Sequence, residues 1–477
     1  MSERNLTLLT DLYELTMMQG YFHAKDANET VIFDAFYRTN PDGNGFAIAA
    51  GLEQVVEYIE NLHFDKEDID YLRTTGLFGE DFLEYLADFK FTGDIYAIPE
   101  GTVVFPREPL VKVIAPIMQA QLVETAILNI INHQSLIATK TSRIVHAARG
   151  DGVMEFGLRR AQGPDAGIYG ARAAMIAGCI GTSNVLCGQM FDVPVKGTHA
   201  HSWIMSFPDE LTAFRTYAKL YPTACILLVD TYDTLNSGIP HAIQVFKEMR
   251  AEGSPLTFYG IRMDSGDLAY LSKEAKKMLD AEGFTDAVIS ASNDLDETLI
   301  TSLKNQGATI NSWGVGTNLI TSKDCPSFGG VYKLAAIMDK KTGKFIPKIK
   351  LSENEEKITN PGNKTTYRIY GKDSHKVIAD IICLVGESFN EDEPLLLFDP
   401  IATWKKTLLA PGTYTMRELP VQVFKDGECI YHSPKVMDIQ KYCKEELNTL
   451  WDETKRLVNP HEVHVDLSKP LWDMKHE

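Results

Sequence analysis

The amino-acid sequence predicts an α/β protein, an irregular (β/α) barrel with an α+β N-terminal domain and a small C-terminal accessory lobe. Between about Val153 and Ile337, short strand-like runs alternate with helical segments, which is typical of parallel strands joined by crossover helices. The 477 residues exceed the ~250–300 at which a single core stops growing, so we expect two or three units. Towards the end of the chain, Pro-Gly, Gly-Lys and Asp-Gly pairs between short strands indicate turns and a separate lobe.

The N-terminal domain is expected over residues 1–130, where helices and strands are mixed. The stretch LLTDLYELTMMQGYF carries apolar residues at helical spacing and predicts an amphipathic helix. The stretches VIFDAFYR and TVVFPREPLVKVIA alternate or run apolar, which predicts strands. QLVETAILNIINHQSLIATKTSRIVHAA then predicts one long helix, or two, that leads into the centre of the chain.

The catalytic barrel is expected over residues 131–340, and the accessory lobe over residues 341–477. Strand-like runs in the centre include VMEFGL, CILLVD, TFYGIRMDS, AVISAS and SWGVGT. The repeated unit suits a (β/α) barrel better than an open sheet, although the pattern does not force the choice. We expect the lobe, which ends in the extended stretch NPHEVHVDLSKPLW, to pack partly on the N-terminal domain.

Composition limits the classes of partner. The formal net charge of −18 argues against a nucleic-acid or anionic-membrane surface, because both need a basic field. Charges interrupt the apolar runs well before the ~18 residues of a membrane span, and the N-terminus lacks the pattern of a signal peptide. The seven cysteines have no CxxC spacing and predict reduced thiols rather than disulfides or a zinc site. We therefore expect a cytoplasmic protein, and its net charge does not forbid a phosphorylated small substrate, which needs only a local cluster of cations.

Polar residues follow nearly every central strand at its carboxyl end. In a parallel barrel these ends open on one face, where loops from separate strands meet. Turn formation or helix capping is enough to explain a polar residue at a single strand end. These roles explain less well why nearly every central strand ends in polar residues. The residues concerned are Glu155, Phe156 and Arg159; Gly181, Thr182 and Ser183; Thr198, His199 and His201; Asp230; Arg262, Asp264 and Ser265; Ser292, Asn293 and Asp294; and Gly314, Gly316 and Thr317.

Two of these strand ends favour the binding of phosphate. In IRMDSGDL, Arg262 and Asp264 alternate on a strand and can point in the same direction, and a buried arginine must find an anion. In WGVGTN, Gly316 and Thr317 lie at a strand-to-helix turn, where glycine lets backbone amides approach a phosphate closely. Neither a GxGxxG fingerprint nor a GxxxxGK[ST] loop is present, so no Walker-type nucleotide site is expected.

The segment KGTHAHSWIMSF contains two histidines, His199 and His201, and the residues alone leave three interpretations open. The pair could bind a metal, as in a metal-dependent barrel hydrolase; both could be structural; or one could be a reactive histidine beside basic groups. A metal site needs further His or Asp ligands from later strands. Within the predicted barrel the only other histidine downstream is His241, so the ligand set looks incomplete.

Seven segments, in order and over nearly the whole chain, resemble the nicotinate phosphoribosyltransferase family of type II phosphoribosyltransferases. They are LLTDLYELTMMQGYF, EFGLRRAQGPD, GTHAHSW, IRMDSGDL, GVGTN with GGVYKL, KLSENEEKITNPGNK and NPHEVHVDLS. The resemblance implies that nicotinate reacts with 5-phosphoribosyl-1-pyrophosphate to give nicotinate mononucleotide and pyrophosphate, the entry step of NAD salvage. It also implies ATP hydrolysis coupled through a phosphohistidine, Mg²⁺ bound with pyrophosphate or ATP, and a homodimer with shared active sites.

The resemblance assigns catalytic roles to three residues, while the metal ligands stay unassigned. His201 matches the histidine that is phosphorylated, and a neutral imidazole is a competent nucleophile near pH 7. His199 matches a variable and structural neighbour. Asp230 and Asp264 match acidic residues on the ribose and magnesium side of the site. Nearby carboxylates can stabilise the positive charge that develops on the ribose during glycosyl transfer.

The same resemblance assigns the substrate contacts. Phe156 matches an aromatic that stacks on the pyridine ring, and the partner subunit's Tyr13 covers the other face. Arg159 and Arg262 match arginines that bind the pyrophosphate, the ribose phosphate or the nicotinate carboxylate. Thr198 matches a residue that lines the nicotinate and phosphate site.

Two further assignments bear on the phosphate and on the choice of substrate. Gly316 and Thr317 match the turn that holds the 5′-phosphate. Ser183 stands where the amide-using relative has an aspartate, so no fixed negative charge repels a carboxylate, and nicotinate is favoured over nicotinamide. The alternatives are a nicotinamide-using relative, a metal-dependent barrel hydrolase and a non-catalytic paralogue. The last is disfavoured because the motif residues named above are all present.

Overall fold

The computed structural model describes residues 4–24, 27–354 and 357–476. Over these residues the chain forms two compact units: the first comprises Met1–Leu136, Ser327–Pro434 and Lys441–Glu477, and the second comprises Ile137–Pro326 and Lys435–Gln440. Glu355 and Glu356 of the KLSENEEKITNPGNK motif lie outside the described residues. Among the described helices, none combines the length and apolar character that crossing a bilayer requires.

The helices are α1 (Leu12–Ala24), α2 (Leu52–Glu60), α3 (Lys66–Thr74), α4 (Glu80–Ala87), α5 (Ile117–Leu122), α6 (Glu124–Ala147), α7 (Pro164–Ile176), α8 (Val185–Phe191), α9 (His201–Met205), α10 (Glu210–Leu220), α11 (Ile239–Ala251), α12 (Leu268–Ala281), α13 (Glu297–Asn305), α14 (Thr317–Ile320), α15 (Val436–Thr449) and α16 (Lys469–His476). Short 3₁₀ turns occur at Pro41–Gly43 and Leu158–Arg160, and a π-helical turn at Thr234–Gly238.

The strands are β1 (Thr30–Tyr37), β2 (Ala47–Ile48), β3 (Asp94–Ala97), β4 (Val103–Val104), β5 (Val111–Pro116), β6 (Gly152–Glu155), β7 (Gly181–Thr182), β8 (Cys225–Leu228), β9 (Tyr259–Met263), β10 (Val288–Ala291), β11 (Ser312–Val315), β12 (Gly330–Met338), β13 (Phe345–Pro347), β14 (Lys364–Gly371), β15 (Val377–Leu384), β16 (Leu395–Phe398), β17 (Lys406–Leu409), β18 (Tyr414–Glu418), β19 (Val421–Lys425), β20 (Glu428–Cys429) and β21 (His464–Leu467).

The larger sheet of the first unit is antiparallel and has the order β13-β12-β1-β5-β3-β19-β20. Strand β1 has the sequence TVIFDAFY, whose β-branched and aromatic residues suit a pleated and buried strand. Its side chains Val31, Phe33 and Tyr37 are buried in the main core of this unit. The ring of Phe33 stacks on that of Tyr332 from β12, with the ring centroids 4.7 Å apart.

A second sheet of the first unit, in the order β18-β14-β15-β21, holds a buried ion cluster. Arg368 on β14 pairs in register with Asp380 on β15, and both side chains are fully buried. The guanidinium donates from Nη2 to Asp380 Oδ2 at 2.6 Å and from Nη1 to Glu446 Oε2 at 3.2 Å. Because a buried charge is stable only when it is paired and hydrogen-bonded, this cluster ties the sheet to helix α15.

The second unit is built on a parallel sheet with the order β7-β6-β11-β10-β9-β8, and helices connect its strands. The predicted α/β class is therefore confirmed. The predicted irregular (β/α) barrel is not confirmed as a closed barrel: in the described residues the sheet is a half-barrel with β7 and β8 at its edges. Strand β7 has two residues and is extended only by a bridge from Thr182 to Val195. Pro194, which has no N–H, precedes Val195 and cannot donate to a longer ladder.

Candidate active site

The carboxyl ends of the parallel strands in the second unit carry a cluster of hydrogen-bonded polar side chains. Strands β8, β9 and β10 are neighbours in the sheet, so the residues that follow them lie close together. The members of the cluster are Asp230 after β8, Arg262 in β9 with Asp264 and Ser265 after it, Ser292 after β10, and His199 and His201 at the start of α9. The three residues predicted to be catalytic, His201, Asp230 and Asp264, all belong to this cluster.

His201 is held by a buried carboxylate. Its Nε2 lies 3.1 Å from Asp230 Oδ1, and the aspartate side chain is 1% exposed while the imidazole is 39% exposed. The other oxygen, Asp230 Oδ2, accepts hydrogen bonds from the backbone N–H of Asp264 at 2.8 Å and from Ser265 Oγ at 2.6 Å. A carboxylate only accepts hydrogen bonds, so Nε2 carries the proton. The lone pair of the neutral imidazole is then on Nδ1.

Arg262 is fixed by two hydrogen bonds on the inner side of the cluster. Its Nη1 donates to Ser292 Oγ at 2.8 Å, and its Nη2 donates to the carbonyl oxygen of His199 at 2.7 Å. Ser292 in turn donates to Asp264 Oδ1 at 2.5 Å, so the serine bridges a guanidinium and a carboxylate that are 3.7 Å apart. Burial lowers the pKa of Arg262, and the positive charge of Arg159 acts in the same direction. An anion between the two arginines would remove this repulsion.

His199 is buried and neutral near pH 7. Its Nε2 accepts the backbone N–H of Leu228 at 3.3 Å, and its ring meets the ring of Tyr217 edge-on at 4.6 Å. Burial lowers the pKa of His199 to about 4, because the charged form would lose its hydration. Since Nε2 already accepts a hydrogen bond, this geometry does not suit a shared metal ion on the HxH pair. Within the described residues, no group of three or more potential ligands is arranged to hold a metal.

A buried carboxyl group, Glu155, joins the two loops that carry Phe156 and Ser183. Its Oε2 accepts from Thr182 Oγ1 at 2.6 Å, and its Oε1 accepts the backbone N–H of Gly157. Burial raises the pKa of Glu155. The backbone N–H of Ser183 donates to the carbonyl oxygen of Glu155 at 2.9 Å. The ends of β6 and β7 are therefore held in one arrangement.

Phe156 fits against a glycine of the neighbouring strand. Its backbone N–H donates to the carbonyl oxygen of Val315 at 2.8 Å. A Cβ atom at Gly314 would lie 2.5 Å from Phe156 Cδ2, which is far inside ordinary contact distance. Gly314 thus leaves the space that the aromatic ring occupies.

The other predicted substrate contacts differ in how they are held. Arg159 is exposed on the 3₁₀ turn Leu158–Arg160, and Gly316 precedes the single helical turn of α14, which starts at Thr317. Thr198 donates from Oγ1 to the carbonyl oxygen of His199 at 3.3 Å. Tyr13 belongs to the other compact unit, where it lies on α1 with a side chain that is 46% exposed.

Sequence reasoning listed Glu155, Ser265, Ser292 and Gly314 among the residues at the strand ends but gave none of them a role in the site. All four stand at strand ends or in a strand, where the pattern placed them among many polar or small neighbours. Their distinguishing feature is the partner that each one meets across two loops. These contacts form only in the folded chain, so the spacing of residues in the sequence does not predict them.

The fold resembles that of solved structures of enzymes that act on nicotinate or its nucleotide. A crystal structure described as nicotinate-nucleotide pyrophosphorylase from Pyrococcus furiosus superposes with a TM-score of 0.70 at 22% identity, over 94% of this chain and 97% of that one. At this identity the likeness shows the fold alone, which is the mixed α/β fold of that class. A structure of human nicotinic acid phosphoribosyltransferase superposes with a TM-score of 0.83 at 28% identity, covering 98% of this chain and 99% of that one.

Family models and relatives of similar sequence identify the family to which the chain belongs. Three models match in succession: the nicotinate phosphoribosyltransferase N-terminal domain over residues 8–132, the nicotinate phosphoribosyltransferase family over residues 152–365, and the C-terminal domain over residues 363–475. The nicotinate phosphoribosyltransferase of Bacillus subtilis is 47% identical over 471 residues, covering 99% of this chain and 94% of that protein. The human nicotinate phosphoribosyltransferase is 31% identical, covering 97% of this chain and 95% of that protein. The chain belongs to the nicotinate phosphoribosyltransferase family, and the resemblance in its sequence motifs is confirmed.

Proposed function

We propose that this chain transfers the phosphoribosyl group of 5-phosphoribosyl-1-pyrophosphate to nicotinate, giving nicotinate mononucleotide and pyrophosphate. We further propose that the transfer is coupled to ATP hydrolysis through phosphorylated His201. The family supports the transfer reaction. The contact between His201 and the buried Asp230 is the single observation that carries the coupling, because it fixes a neutral imidazole in one tautomer.

The phosphorylation step uses the free lone pair of the imidazole. His201 Nδ1 attacks the γ-phosphorus of ATP, an N–P bond forms, and the bond from that phosphorus to the β,γ-bridging oxygen breaks to release ADP. The Nε2 proton stays on the ring and continues to donate to Asp230 Oδ1. The carboxylate thereby stabilises the positive charge that the ring gains as the bond forms. Hydrolysis of the phosphohistidine then returns the free histidine and phosphate.

The glycosyl transfer step places positive charge on the ribose and negative charge on the leaving pyrophosphate. The carboxylate of Asp264 lies at the same edge of the sheet, where it can face the ribose, while Arg262 and Arg159 can bind the pyrophosphate. The pyridine nitrogen of nicotinate forms the new bond to ribose C1 as the bond to the pyrophosphate oxygen breaks. Each group therefore faces the charge that grows in the transition state.

The donor set fits Mg²⁺ on one side of the cluster. Magnesium prefers oxygen ligands and is usually held by one or two carboxylates together with substrate phosphates and water. Both oxygens of Asp230 are engaged in hydrogen bonds, whereas the carboxylate of Asp264 is 38% exposed. Asp264 is thus the residue that would hold the ion. When bound, Mg²⁺ would neutralise charge on the phosphates.

Substrate choice and assembly complete the proposal. Phe156 offers one face to the pyridine ring, and the partner subunit's Tyr13 would offer the other in a homodimer with shared sites. Ser183 brings no negative charge against the carboxylate, which favours nicotinate over nicotinamide. We propose a cytoplasmic location for the enzyme, because its reduced and mostly buried cysteines suit a reducing compartment. The metal-dependent hydrolase is disfavoured by the hydrogen bond that His199 Nε2 accepts.

The test is the formation of nicotinate mononucleotide from nicotinate and 5-phosphoribosyl-1-pyrophosphate, with and without ATP, for the wild type and His201→Ala. We expect product from the wild type and loss of the ATP stimulation in the variant. His241→Ala is the matched control, because that half-buried histidine also contacts a carboxylate, Glu210, at 2.8 Å but lies on α11. An unchanged ATP effect in His201→Ala would move the phosphoryl acceptor elsewhere. No product from the wild type would overturn the transfer reaction itself.

A further inference from the structure

We infer that Ser265 is a positioning residue for the phosphorylation of His201 and that it acts through Asp230. This inference rests on the proposed ATP coupling. Ser265 makes no hydrogen bond to the imidazole. Its Oγ donates to Asp230 Oδ2 at 2.6 Å, which is the shortest of the three contacts that the carboxylate accepts.

The two oxygens of the Asp230 carboxylate have separate tasks. Oδ1 accepts from His201 Nε2, and Oδ2 accepts from Ser265 and from the backbone N–H of Asp264. With two donors on Oδ2, rotation of the carboxylate would break both of these bonds before Oδ1 left the imidazole. Since the side chain of Asp230 is 1% exposed, water cannot easily replace a lost donor. The orientation of the histidine therefore depends on Ser265.

The local turn frees Ser265 for this task. A serine just before a helix is ordinarily explained as its cap. Here Asp267 caps α12, and its Oδ1 accepts the backbone N–H of Tyr270 at 3.0 Å. Gly266 has φ of +80°, a left-handed conformation that side chains rarely adopt. The glycine separates the capping aspartate from the serine, and the serine hydroxyl turns towards the end of β8.

Loss of the hydroxyl should slow phosphorylation of His201 more than it slows transfer of the phosphoribosyl group. Ser265→Ala leaves the Asp264 N–H on Oδ2, so the carboxylate keeps one of its two donors there. Hydrogen bonds to charged groups are among the stronger ones in proteins, and we expect phosphoenzyme formation to slow by about tenfold. The hydroxyl of Ser265→Thr can take the same position, so this variant should restore most of the rate. Because Ser265→Ala removes a hydrogen bond to a buried carboxylate, the melting temperature of each variant is measured beside the rates, and Ser265→Thr should restore both.

The experiment measures two rates for each variant of the full-length enzyme. The first is the formation of phosphoenzyme from γ-labelled ATP, and the second is transfer to nicotinate in the absence of ATP. Ser206→Ala is the matched control. This exposed serine comes directly after α9, the short helix that begins at His201, and its hydroxyl donates to the carbonyl oxygen of Trp203 at 2.7 Å. We expect Ser265→Ala to lower the first rate by a clearly larger factor than the second, with rescue by Ser265→Thr, and Ser206→Ala to lower neither rate.

Three results would overturn the inference, and they can be told apart. Equal phosphoenzyme formation in the wild type and Ser265→Ala would show that the hydroxyl does not position the histidine. An equal fall in both rates would show that Ser265 supports the transfer site as a whole and does not act specifically on the histidine. A wild type that makes product but no phosphoenzyme would remove the ATP coupling, and the inference would fall with it.

Discussion

Replacement of Gly314 by alanine should weaken the binding of nicotinate through the ring of Phe156. The added Cβ would lie 2.5 Å from Phe156 Cδ2 and 2.6 Å from Cε2, whereas carbon atoms in contact are ~3.5–4.0 Å apart. The ring must therefore retreat by about 1 Å, because Gly314 lies in a buried strand whose backbone cannot move aside. Overpacking of this kind costs ~1–3 kcal/mol, and an aromatic stack contributes ~0.5–1.5 kcal/mol.

At about 1.4 kcal/mol for each factor of ten, loss of the stack raises the KM for nicotinate by roughly 2- to 10-fold. Initial rates at varied nicotinate, with 5-phosphoribosyl-1-pyrophosphate saturating, give this value directly. Gly20→Ala is the control, since a Cβ at that exposed position in helix α1 meets nothing within 4 Å. An unchanged KM for nicotinate together with an unchanged melting temperature would refute the reasoning, because it would mean that the ring moves without cost or does not contact the substrate.

Three further outcomes follow from charges described above. Burial lowers the pKa of His199 to about 4, against about 6.5 in an unfolded chain, so the stability of the fold should fall as the pH drops from about 6.5 to about 4. His199→Gln should flatten the plot of melting temperature against pH in that window. A slope equal to that of the wild type would contradict the prediction. Asp380→Asn leaves Arg368 to share the carboxylate of Glu446 with Arg417 and should lower the free energy of unfolding by about 3–5 kcal/mol in urea titrations, and an unchanged midpoint would contradict the prediction. Asp230→Asn keeps one acceptor oxygen for the two donors of Asp264 and Ser265, so its amide NH₂ would face His201 Nε2 and favour the tautomer with the proton on Nδ1. Phosphoenzyme should then form at least about tenfold more slowly. A rate equal to that of the wild type would disprove the role of the carboxylate.

Much of the fold could be predicted because its elements have clear periodicity. The stretch LLTDLYELTMMQGYF overlaps α1, and the apolar run VIFDAFYR overlaps β1. The predicted amphipathic character of this helix was wrong, because α1 buries Glu14 and exposes Leu12 and Tyr13. Whether the barrel closes could not be predicted, because closure requires hydrogen bonds between the edge strands β7 and β8, and local sequence does not show whether two such strands pair. The parallel pairing of β21 with β15 was equally hidden, since the last strand joins a partner about eighty residues earlier in the chain, and local sequence carries no record of that pairing.

The sequence predicted which residues of the site lie together. Arg262, His201 and Asp230 follow or end neighbouring strand-like segments, whose carboxyl ends meet at one edge of a parallel sheet, whereas the roles of His201 and Asp230 came from the resemblance to the family. The bridging role of Ser292 was not predictable. It arises because Arg262 and Asp264 are held 3.7 Å apart and need a hydroxyl between them, and a distance between two loops cannot be derived from the order of residues.

The order of strands in the first unit has a consequence for synthesis on the ribosome. Strand β3, which ends at Ala97, has its second partner in β19, which begins at Val421. At ~5–20 residues/s, the ribosome needs roughly 15–60 s to make the chain between them. During that interval the nascent β3 has one side without its final partner, and such edges attract other chains. We expect a fragment that stops before Val421 to aggregate, and growing cells to keep a chaperone on this protein until about its last eighth has been made.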